Sequence, residues 1–247
     1  MMPPALPLSR DLVLIGGGHT HALVLRRWGM SPLPGVRLSV INPGPTAPYS
    51  GMLPGHLAGH YSRDALDIDL VRLARFAGAR VILGAAEHID RQRREIHVPG
   101  RPPIGYDVAS IDIGITSAMP QLPGFADHAV PAKPLAAFAA AWSAFRERSG
   151  PARIAVIGAG VAGAEIAMAL GHAMRQDGRD AVVTLIDRGT ALDGLHSASA
   201  RTLRKALADE NVALIENARI AEILPDWLRF DDGKRLAADF ITGAAGA

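Results

Sequence analysis

Two short glycine-rich turns are the segments of this 247-residue chain with the clearest chemical use. Gly158-Ala-Gly160-Val-Ala-Gly163 follows an apolar run and opens a helical stretch. In that setting the first glycine permits a tight turn and the second lets a pyrophosphate approach the backbone. The third lets helix and strand pack closely. Amides at the helix start then face the phosphate charge. Asp187 ends the next apolar run, where a carboxylate can bind the hydroxyls of an adenosine ribose. It favours NAD over NADP, and Arg188 beside it pulls the other way. Glycines alone would equally make a plain turn. Strand, turn, helix and acid together point to dinucleotide binding.

The other turn, Gly16-Gly17-Gly18, departs from that pattern twice. His21 stands at the third glycine position, and Asn42 ends the second strand in place of an acid. The Asn42 amide can still hydrogen-bond a ribose. His21 either touches the ligand or packs beneath the helix at a wider helix–strand separation. His19 and His21 could be read as a metal pair, but no third ligand stands nearby, so no metal is expected.

The elements that must position these turns occur in two copies. Residues 11–15 and 153–157 read as first strands, 19–28 and 164–176 as helices, 36–41 and 181–186 as second strands. Residues 79–83 and 212–215 supply third strands, followed by short β-rich pieces at 95–98 and 227–230 with turn chemistry after each. Each copy closes on an aspartate and an apolar strand, at Asp107 and at Asp239, at similar distances from its first glycine. Strand–turn–helix–strand is a βαβ unit. The expected fold is α/β, with two Rossmann-like domains, parallel sheets and small β-meander insertions. Residues 1–119 form the first domain, 120–150 a connector with a helix at 135–148, and 151–247 the second. A surface helix is expected over 67–76.

Composition removes several alternatives. Apolar residues make up 49% of the chain, enough for a substantial core. No cysteine is present, which excludes disulfide scaffolds, thiolate metal sites and dithiol relays, and fits a cytoplasmic protein. The net charge of +2, without a dense basic patch, argues against nucleic acid as a partner. No apolar run is long enough to span a membrane, although peripheral contact at its inner face stays open. The N-terminus lacks the pattern of a signal peptide. Pro48-Tyr49-Ser50-Gly51-Met52-Leu53-Pro54-Gly55 is a rigid loop with one aromatic, readable as a binding loop or as an ordinary Pro-Gly turn.

Gly16-Gly-Gly-His-Thr-His21, the Pro48–Gly55 loop and Asp112-Ile-Gly-Ile-Thr-Ser117 resemble the pyridine nucleotide-disulfide oxidoreductase superfamily. They are most similar to its cysteine-free, type II NADH dehydrogenase-like branch, and within it to a subgroup often linked to selenide, water dikinase. The likeness runs from about residue 12 to the chain end. It implies FAD on the first copy and NAD(P)H, with NADH favoured, on the second. Gly16 and Gly18 would approach the FAD pyrophosphate, with His19 and His21 at the same turn, and Asn42 would face the ribose. The backbone at Ala86 would border adenine, Gly114 would end a strand beside the flavin, and Tyr49, Ser50 and Gly51 would lie towards its ring. Gly158, Gly160, Gly163 and Asp187 would hold NAD(P)H, and Glu165 would help position the nicotinamide. Hydride would pass through flavin to a small-molecule acceptor such as a quinone. The family's return to the FAD domain and its C-terminal domain would follow residue 247, so the chain reads as a fragment. The rival reading is a non-catalytic dinucleotide-binding module partnering the selenophosphate-forming enzyme. A sulfide or selenide flavoenzyme is disfavoured by the missing cysteines.

Overall fold

A computed structural model of the chain describes residues 7–114, 119, 121–150 and 152–244. They gather into two compact units: those up to residue 49 with 64–114 form one, and 50–63 with those from 119 onward form the other.

In the first unit β1 (Arg10–Ile15) runs into the glycine turn, and α1 (His19–Met30) leads back to β2 (Val36–Asn42). A small ribbon of β3 (Thr46–Pro48) and β4 (Asp67–Asp69) follows, and its connection carries α2 (Leu53–Leu57), which belongs to the second unit. Next come α3 (Leu70–Ala77) and β5 (Arg80–Leu83). A three-stranded antiparallel meander comprises β6 (His88–Asp90), β7 (Glu95–His97) and β8 (Ile104–Gly105), before β9 (Val108–Ile111). The parallel sheet has the order β5-β2-β1-β9. Alternate side chains settle its two faces. Leu14, Leu38 and Val40 pack on Leu25, Leu70 and Ala74 of the helices. Val13, Ile15, Ile41 and Ile82 pack on Ile96 and Val98 of the meander side. The central strands β1 and β2 are covered on both faces, while the edge strands leave Leu83, Val108 and Ile111 exposed.

The second unit contains α4 (Phe125–His128), β10 (Val130–Pro131) and α5 (Leu135–Arg146). It continues through β11 (Ala152–Ile157), α6 (Val161–Gln176), β12 (Ala181–Ile186), α7 (Ser197–Asp209) and β13 (Val212–Ile215). A second meander, β14 (Ile220–Leu224), β15 (Trp227–Phe230) and β16 (Arg235–Ala237), precedes β17 (Phe240–Gly243). The parallel order β13-β12-β11-β17 repeats that of the first unit, with β10 added at the β17 edge. Again one sheet face meets helices and the other meets the meander. The repeat extends to single hydrogen bonds. The Asp107 carboxylate accepts from the Asp11 amide at 2.7 Å, and Asp239 accepts from the equivalent Arg153 amide at 2.8 Å.

Two details depart from expectation. The helix expected over 67–76 begins at Leu70, because the Asp69 carboxylate caps it by accepting from Arg72 N–H at 2.8 Å. Residues 67–69 are instead a strand. That helix is also no mere surface element: Leu70 and Ala74 are fully buried in the core. The segment 50–63 joins the second unit, where Leu53 and Leu57 pack with Phe138, Trp142 and Phe145 of α5. The Trp142 indole N–H donates to Leu57 O at 3.1 Å. Spacing of 138, 142 and 145 puts these rings on one helix face, each worth about 1.5–3 kcal/mol when buried. No helix among the described residues is long and apolar enough to cross a membrane.

Candidate dinucleotide sites

In the second unit the turn after β11 is braced from β12. Asp187 accepts from Ala159 N–H at 2.7 Å through one oxygen and from Gly189 N–H at 2.8 Å through the other. Gly158 has a φ of +101°, a left-handed conformation that favours glycine. Gly163 is packed so closely that a Cβ there would stand 1.8 Å from Gly158 O. Gly160 faces open space, with nothing within 4 Å of an added Cβ. Beyond it lies a cavity of about 850 Å³, lined by Gly158, Gly160, Val161, Asp187, Arg188 and Arg219 among others. Gly160 caps α6 without a side-chain hydrogen bond, and Val161 and Ala162 of the first helical turn line this cavity. Glu165 is exposed on α6. Beside the site, Glu216 accepts from Ala191 N–H at 2.6 Å and pairs with Arg204, which pulls its carboxyl from 4.5 down to about 2.

In the first unit Asn42 plays the part of Asp187. Its Oδ1 accepts from Gly17 N–H at 2.9 Å, while Nδ2 donates to Gly44 O and Thr46 O. Gly16 has a φ of +88°. His21 is buried, and its ring spans Gly16 O at 2.7 Å from Nδ1 and Ser110 Oγ at 2.9 Å from Nε2. With Nδ1–H donating to the carbonyl, neutral Nε2 is left to accept from the serine hydroxyl. Of the two roles open to His21, this geometry is that of packing beneath the helix. Asp112, just past β9, accepts from His21 N–H at 2.9 Å, and its carboxylate lies 2.5 Å from where a Gly18 Cβ would be. His19 is exposed at the first helical position, and its ring centroid is 6.0 Å from that of Tyr49. Ser50 and Gly51 fall in the second unit, and Ala86 lies among the partly buried residues packed on the meander core. Gly114 is exposed; Ile115, Thr116 and Ser117 of its motif lie outside the described residues, as do Pro120, Pro151 and residues 245–247. No group of three or more metal-ligating side chains occurs among the described residues.

The sequence names Asp112 only as the start of a family-like motif, with no role at the first turn, and it does not single out Ser110 or Arg219. Asp112 is remote in sequence from Gly18, and only the pairing of β1 with β9 brings them together.

Two glycine-rich strand–turn–helix units on matching parallel sheets in one chain are the architecture of α/β oxidoreductases of the Rossmann type. The chain belongs to the pyridine nucleotide-disulphide oxidoreductase family, which matches residues 10–247. It is 25% identical over 243 residues to the NADH dehydrogenase-like protein YutJ of Bacillus subtilis (strain 168). That match covers 96% of this chain and 65% of the relative, so the chain spans about two thirds of that protein's length. Among solved structures, the sulfide:quinone oxidoreductase of Aquifex aeolicus is similar with a TM-score of 0.77 at 21% identity, over 95% of this chain and 58% of that one. NDH2 of Plasmodium falciparum, in complex with NADH, gives a TM-score of 0.79 at 13% identity, over 96% and 55%. The water-forming NADH oxidase of Lactobacillus brevis, bound to NADH, gives 0.75 at 20%, over 95% and 53%.

Proposed function

We propose that the chain carries NAD(P)H on the turn at 158–163 and FAD on the turn at 16–18, and serves hydride transfer to an external acceptor such as a quinone. The observation that carries this reading is the open Gly160 beside a tightly packed Gly163, at the mouth of a cavity of about 850 Å³. A diphosphate fits such a turn because backbone can approach it closely and α6 amides supply donors. Asp187 keeps acceptor capacity for ribose hydroxyls after its two backbone bonds, which supports NADH as donor. In the first unit Gly16, Gly18 and Asn42 would hold FAD, with Ala86 near adenine, Gly114 beside the flavin, and His19, Tyr49, Ser50 and Gly51 towards the ring. His21 supports this turn from within. When bound, FAD supplies the ring that takes up hydride from the nicotinamide and hands the electrons on. Glu165 would help orient the nicotinamide, and the residues described here bind and align without donating a proton themselves. In this reading residues 1–119 are the FAD part, apart from 50–63, which gather with the second unit, 120–150 are the connector and 151–247 the NAD(P)H part. The quinone rests on likeness to the Aquifex aeolicus protein, whose name includes quinone. Contact with the inner membrane face would follow from such an acceptor. The selenide, water dikinase link gains no support from the relatives found.

Titration of the purified chain with NADH and with FAD tests the reading. Gly160→Trp should abolish NADH binding and leave FAD binding intact. Loss of both together, or no binding of either by the unaltered chain, would overturn the two-site assignment.

A further inference from the structure

The strand registers match the two turns residue by residue. Ile15 pairs with Ile111 as Ile157 pairs with Gly243, so Asp112 holds the place of Ala244. Both are tied to the first strand in the same way: Asp112 N–H donates to Ile15 O and Ala244 N–H to Ile157 O, each at 2.8 Å. The side chains then differ completely. Ala244 leaves Gly160 facing open space, whereas the Asp112 carboxylate presses on Gly18, with all three carboxyl atoms within 2.6 Å of an added Cβ. Its Oδ2 also takes the N–H of His21, the third residue of α1. Gly18 is the glycine that should admit a diphosphate to the backbone. A resident anion therefore stands where the first turn would receive an anionic ligand.

We infer that Asp112 is an internal competitor that sets the affinity of the first turn for a dinucleotide diphosphate. This rests on the reading of that turn as a flavin dinucleotide site. The carboxylate stabilises α1 by capping one amide and complementing the helix N-terminus. The same negative charge repels an incoming diphosphate at close range, in surroundings less screening than bulk water. The first site would thus hold its dinucleotide reversibly, in exchange with the medium, while the second turn carries no such competitor among its described residues.

Asp112→Asn separates charge from shape, since its side-chain carbonyl can still accept from His21 N–H. FAD is titrated by its fluorescence into the full chain with saturating NAD+ present to fill the second turn. Asp112→Asn should bind FAD about tenfold more tightly than the parent. In the reciprocal arm, Ala244→Asp should weaken NADH binding about tenfold while FAD binding is unchanged. Melting curves of each variant accompany the titrations, so that a folding defect is seen separately. An Asp112→Asn protein that is folded and binds FAD no better than the parent overturns the inference alone. Absence of FAD binding in both proteins overturns the flavin reading, and the inference falls with it.

Discussion

The first and second glycine turns share a backbone and differ in what fills it. Each has a left-handed first glycine, a brace from the end of the second strand, and an aspartate clamping the start of the first strand. Yet Asn42 replaces Asp187 as brace, His21 replaces Gly163 under the helix, and Asp112 replaces Ala244 at the rim. The brace needs only a side-chain oxygen that accepts one amide, so charge at that position is free to vary. The third glycine is more revealing. In the second turn the helix lies against Gly158 O so closely that no Cβ fits. In the first, a histidine has room, and its ring bonds the same carbonyl. One carbonyl thus has two solutions, close packing by glycine or a hydrogen bond from a larger residue.

The sharpest way to break this comparison is Gly163→Ala. The methyl would meet Gly158 O, and backbone must shift to admit it. Unfolding in urea should show a loss of about 3 kcal/mol or more, with NADH binding lost as well. An unchanged midpoint would mean the two helices sit equally far from their strands. Next in size is His21→Ala, which removes a buried ring and leaves Gly16 O and Ser110 without their partner. A loss of about 2 kcal/mol is expected from the same titration. A loss near zero would show that the histidine is not the internal counterpart of Gly163. The smallest effect concerns a pair that, among the described residues, has no counterpart in the first copy. Glu216 occupies the register position of Leu83 and ties Arg204 to the Ala191 amide. Its carboxyl sits at about 2 in place of 4.5, so its stabilisation is complete above pH 4.5 and fades as pH falls towards 2. Glu216→Gln should therefore lower the melting temperature by a few degrees at pH 7, with the gap closing in that acid range. A gap that persists unchanged at pH 2 would assign the effect to packing.

Much of this architecture is legible in the chain itself because it rests on local signals. The apolar runs at 11–15 and 153–157, the glycines that follow them, and the paired aspartates at 107 and 239 each announce an element within a few residues. What stays hidden is set by partners far along the chain. Nothing near His21 reveals that Ser110 waits for its Nε2, and nothing near Leu57 reveals Trp142. The start of α3 was displaced for a different reason: acidic Asp67 and Asp69 look alike in sequence, and only Asp69 meets the Arg72 amide. The helix at Ser197–Asp209 gives no glycine or proline signal of its own and is recognisable mainly by its place between β12 and β13.

The packing of residues 50–63 into the second unit has a consequence for how the protein is made. Translation delivers Leu53 and Leu57 long before α5 and α6 leave the ribosome. That stretch must wait, its apolar side chains without their final neighbours, until Trp142 and its helix emerge. A gene cut anywhere between the two sheets would also strand it on the wrong piece. The C-terminal product would carry an exposed tryptophan face, and the two halves would have to be produced together to fold.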